Sequence, residues 1–154
     1  MNGIAVLSLL VFFTCFFGLA AYDMMASSGM YYYTPPYFFR IGDWLGALVS
    51  FSFVFIFSLL FFGLGAPAAM AVEGLKFGTL IASGHITLFG LLFIFPQLLA
   101  MISATTLGEG IMKDWEGKST VFNYWSDGLR YFFMGIGLLA ALVVLQSAYP
   151  AFFA

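Results

Sequence analysis

Long apolar runs without a single charge dominate the chain. Gly3 to Tyr22, Leu45 to Leu64, Ile86 to Leu107 and Tyr131 to Tyr149 each read as a helix of spanning length, since a bilayer crossing takes about 20 apolar residues. Leu and Phe fall all round the first run, so lipid can meet it on most sides. Asp23 ends that run and Pro150 stops the last one. In the second run Ser50 and Ser58 are eight residues apart and share a face, the usual mark of a helix contact.

The stretch Gly65 to Gly84, GAPAAMAVEGLKFGTLIASG, departs from this pattern. It carries Glu73 and Lys76 inside an apolar segment of nearly spanning length. Pro67 suits the first helical turn, where its missing N–H is unbonded in any case, and Gly84 suits the end. Ala71, Gly74, Gly78 and Ala82 recur at three- and four-residue steps, so they form a flat face that a second helix can approach closely. Glu73 and Lys76 are three apart and are neighbours on the helix surface. A lone charge at mid-bilayer costs roughly 2.5–3.5 kcal/mol or more. In a spanning helix the pair must therefore face protein or water. The alternative is a half-inserted or interfacial helix whose charges reach the headgroups.

In Ile86 to Leu107 the pair Pro96-Gln97 falls near the middle. It predicts a kink, with Gln97 at a cavity or a helix contact. The predicted fold is all-α: a polytopic integral membrane helix bundle, one domain over residues 1–154, with about five transmembrane helices. The alternative is four plus one re-entrant or interfacial helix.

Two connections separate the runs. Residues 23–44 hold Pro35-Pro36, which no regular helix accommodates. They also hold Tyr31, Tyr32, Tyr33, Tyr37 and Trp44 at a span boundary. This is an aromatic belt, or alternatively a docking surface for a partner. Residues 108–128 are the most polar part of the chain and mix both signs of charge. A solvated loop is expected there, with a short surface helix carrying Trp115, and with Ser126 or Asp127 capping the next helix.

Composition turns the pattern into a statement about solvent. Hydrophobic residues make up 63% of the chain and charged ones 8%, against about a quarter charged in soluble domains. Lipid is the expected surroundings, and a multi-pass protein of the cell membrane the expected location. The net charge is −2 and there is no basic run, so no nucleic-acid surface is expected. The first run reads as a retained span rather than a secretion signal, because no Lys or Arg precedes it. With five spans, the N-terminus and the 108–128 loop share the cytoplasmic side under the positive-inside rule. With four, both termini lie outside.

Catalytic chemistry is sparsely represented. Cys15 is the only cysteine and His85 the only histidine, so no intrachain disulfide can form and no metal site is expected. Cys15 reads as a small packing residue. His85 reads as an interfacial hydrogen-bonding group, with one-sided ligation of a haem or pigment as the alternative. No Gly-x-Ser-x-Gly frames the serines. No enzymatic activity and no cofactor are expected.

Residues 63–108, with FFGLGAPAAMAVEGLKFGTLIASG followed by LLFIFPQLLAMISATTLGEG, resemble the stage II sporulation protein M family of bacterial and archaeal membrane proteins. Glu73-Gly74 stands where that family usually has Asn-Gly, Gly78 matches its next glycine, and Pro96 is its candidate helix proline. The family's Pro-His-Gly followed by glutamate is absent. The resemblance implies a polytopic scaffold in a membrane complex, with no known cofactor and no catalytic residue on this chain.

The function expected is a non-enzymatic membrane subunit or scaffold that packs with itself, as a homo-oligomer, or with another membrane protein. The alternative is a small transporter or channel with a polar site at Glu73, Lys76, Gln97 and His85, since intramembrane ionisable residues mark solute or ion paths.

Overall fold

The computed structural model describes residues 3–25, 44–82, 90–117 and 121–150. Its regular elements there are all helical: α1 (Gly3–Met25), α2 (Trp44–Leu60), α3 (Ala66–Ala82), a 3₁₀ turn (Gly90–Phe93) that runs straight into α4 (Ile94–Trp115), and α5 (Val121–Ala148). Two stretches, Gly90–Trp115 and Phe122–Ala148, are long and apolar enough to cross a membrane. α2 and α3 have 17 residues each. At 1.5 Å per residue each rises about 25 Å, short of a hydrocarbon core of about 30 Å.

α2 stops sooner than its apolar run. Gly63 N–H donates to the Ser58 carbonyl (2.8 Å) and Phe62 N–H to that of Leu59 (2.9 Å), the paired bonds of a Schellman ending. Phe62 takes the left-handed position itself, at φ 52°, followed by Gly63 at φ 91°. The chain thus reverses within five residues, and α3 starts at Ala66 with Pro67 in its first turn.

Two local expectations are corrected. Pro96 does not fall near the middle of its helix. It is the third residue of α4, just after the 3₁₀ turn. An N–H there would have no acceptor within α4 itself, so the first turn tolerates proline. Nor do residues 108–128 form a loop. α4 continues to Trp115 and α5 begins at Val121, so Ser126 and Asp127 lie inside a helix and cap nothing. Glu109 and Lys113, four apart, form an ion pair of 2.9 Å along α4, a helix-supporting arrangement. Gly117, at φ 71°, ends it.

The helices pack in the order α1, α3, α2, α4, α5. Glycines fix how they lie together. A Cβ on Gly74 would sit 2.5 Å from the Phe12 carbonyl oxygen and 3.1 Å from Cys15 Cβ, so α1 rides directly on α3. Cys15 is half-buried at that contact. A Cβ on Gly108 would meet the Phe62 backbone, and one on Gly135 would meet the Phe51 ring and Leu99. Phe51 therefore lies near the level of Leu99, and Phe62 near that of Gly108, so α4 runs parallel to α2. Gly128 abuts Leu107 and Gly110 abuts Tyr124, so α5 runs antiparallel to α4. Phe12, Phe51, Val54, Met70, Phe77, Phe93, Met101 and Leu139 fill the core between them.

The aromatic loop residues Tyr31, Tyr32, Tyr33 and Tyr37 lie outside the described residues, as does the side chain of Trp44.

Candidate functional site

α3 carries the only buried ion pair among the described residues. One helical turn brings Glu73 and Lys76 to the same side, and Lys76 Nζ lies 3.1 Å from Glu73 Oε2 with side-chain exposures of 4% and 0%. The five-residue reversal folds α3 back along α2. That puts Ser50 opposite Lys76, and the ammonium donates to Ser50 Oγ at 2.5 Å. The same ammonium lies 5.3 Å from the centre of the Phe77 ring, within cation–π reach. Serine hydroxyl, carboxylate and aromatic face together replace the hydration that burial removes from the lysine.

Satisfaction is incomplete on the acidic side. Glu73 Oε1 is buried with no hydrogen-bond partner. Gln97 on α4 is 1% exposed, and neither its Oε1 nor its Nε2 has a partner. Ser58 Oγ is in the same condition further along α2. Because Phe51 and Leu99 lie at one level, Gln97 lies within about one turn of the level of Ser50. Ser50, Glu73, Lys76 and Gln97 thus belong to one polar layer across α2, α3 and α4.

Of the small residues on α3, Gly74 and Gly78 are buried and Ala71 is half-buried. Gly74 faces α1 at close range. The side chain of Ala82, and all of His85, lie outside the described residues. Among the described residues no group of His, Cys, Asp and Glu lies close enough to hold a metal ion.

Ser50 as the lysine's partner was not read from the sequence. Its signal was available: a reversal at 61–65 pairs position 50 with position 76. Ser103 was also missed. Its hydroxyl donates to the Gly128 carbonyl at 2.7 Å and pins α4 to α5. At the far end of the same seam the Lys113 ammonium donates to the Tyr124 hydroxyl and stands 4.2 Å from its ring centre.

Comparisons with protein-family models, with curated proteins and with solved structures gave no match to this chain.

Proposed function

We propose that the chain is a multi-pass membrane protein of about five spans that acts as a non-enzymatic subunit or scaffold, packing with itself or with another membrane protein. One observation carries this: polarity is turned inside out. Glu73, Lys76, Gln97, Ser50 and Ser103 are buried. Leu10, Phe13 and Phe17 on α1, Ile56 and Leu60 on α2, and Phe133 and Val144 on α5 are exposed. An exterior of that kind suits lipid and other helices as neighbours. α5 adds to the argument, because it packs mainly on α4 and leaves most of its circumference free.

The stage II sporulation protein M resemblance at residues 63–108 agrees with a scaffold role, and the inverted polarity supports that role without it. Purification in mild detergent followed by crosslinking is expected to yield a homo-oligomer or a bound membrane partner. A stable lone monomer would overturn the proposal.

A second reading, a small transporter or channel, is favoured by one specific feature: Glu73 Oε1 and the Gln97 amide have no partner. Free polar atoms of this kind serve a passing ion or solute. It predicts that Glu73→Gln alters a solute or ion flux in reconstituted vesicles. Equal fluxes for wild type and variant count against it.

A further inference from the structure

We propose that Glu73 Oε1 and the Gln97 amide hold internal water within the layer formed by α2, α3 and α4. Three unpartnered polar atoms, on two side chains each at least 99% buried, point to a ligand. Buried polar atoms in folded proteins are almost always hydrogen-bonded, to protein or to ordered water.

The chemistry of the groups selects the ligand. Glu73 Oε1 only accepts. Gln97 Oε1 accepts and Nε2 donates. A ligand at Glu73 Oε1 must donate, and one at the Gln97 amide must both donate and accept. The local charge is already balanced, since Glu73 and Lys76 form a pair. A second cation would be repelled by the lysine, and an anion by the glutamate. An apolar molecule would leave all three atoms unsatisfied. The remaining class is small, neutral and both donor and acceptor, and water is its simplest member; buried waters typically make about three hydrogen bonds to such groups. Lys76, held between Ser50 and Glu73, orients the carboxylate so that Oε2 is engaged and Oε1 is the oxygen left to accept from water.

This site is independent of partner packing. It applies equally to a scaffold and to a transporter, so the oligomer experiment neither supports nor damages it.

The test uses the full chain in lipid nanodiscs. Gln97→Met keeps the length of the side chain and removes both amide atoms. If water is bound at the amide, the variant loses those bonds and strands the water's others, and Tm is expected to fall by about 2–4 °C. If the amide is merely unsatisfied, its removal relieves a penalty, and an unchanged or raised Tm overturns the proposal. A second measurement on the wild-type chain covers the case in which the variant does not fold. An experimental density map that resolves ordered water is expected to show water within about 3.2 Å of Glu73 Oε1 and water within about 3.2 Å of the Gln97 amide. Apolar side chains packed against those atoms instead would overturn it.

Discussion

A single hydrogen at position 74 sets how closely α1 and α3 approach. Alanine is the better helix former by up to about 1 kcal/mol, yet a Cβ at Gly74 would lie 2.5 Å from the Phe12 carbonyl oxygen, which is backbone and cannot step aside. Gly74→Ala is therefore expected to destabilise by about 1–3 kcal/mol. Gly137→Ala, with nothing within 4 Å, is expected to stabilise by about 0.5–1 kcal/mol. Thermal unfolding in one detergent reads both signs. Gly135 and Gly137 lie two residues apart on α5 and look alike as points of close approach. Only Gly135 meets a neighbour, since two positions in a helix point to different sides and spacing does not say which side is occupied. The charge pair supports a second expectation at this scale. Lys76→Met leaves Glu73 charged, buried and without its cation, and is expected to cost about 3–5 kcal/mol. The double replacement Glu73→Leu with Lys76→Met removes both charges and should recover most of that loss. A double variant no more stable than Lys76→Met would mean that the pair does not act as a unit.

At the scale of elements, the seam between α4 and its neighbours depends on glycines whose role no spacing reveals. A Cβ on Gly108 would lie 2.4 Å from the Phe62 carbonyl carbon, so α4 presses on the reversal that joins α2 to α3. Gly108→Ala is expected to destabilise by about 1–3 kcal/mol and to make residues 61–65 cleavable by limited proteolysis. Ser103→Ala removes one bond between α4 and α5 and should cost only about 1 kcal/mol, leaving that turn protected. The four apolar runs and the small-residue helix were legible because long apolar stretches and Pro67 are local signals. The extension of α4 to Trp115 was not. Beyond Leu107 the apolar pattern gives way to mixed charge, and a helix held by Glu109–Lys113 and by glycine contacts across the seam looks the same on paper as a solvated loop. Pro96 misled for a related reason. Where the helix starts decides whether a proline bends it or opens it, and that start lies at a 3₁₀ junction with no side-chain cap.

For the whole molecule, the polar layer was legible as a pair of charges and a lone glutamine, but its assembly across three helices needed the reversal at 61–65 and the parallel course of α4 against α2. The layer gains its meaning from what surrounds it. The same inventory of buried Glu73, Lys76 and Gln97 would be an oddity in a water-soluble bundle, whereas under an apolar exterior it is where charge has to go. This yields a test of the surroundings themselves. Phe133 lies near the middle of α5 and is 66% exposed. In water an exposed Phe→Lys change is usually within about 0.5 kcal/mol of neutral. In lipid the same change near the bilayer centre costs roughly 2.5–3.5 kcal/mol. Phe133→Lys is therefore expected to lower both the membrane-inserted yield and the thermal stability in nanodiscs, while Asn123→Lys, exposed near the start of the same helix, should leave both unchanged. Equal behaviour of the two variants would mean that the mid-helix face of α5 is not in contact with lipid, and it would remove the observation on which the membrane assignment stands.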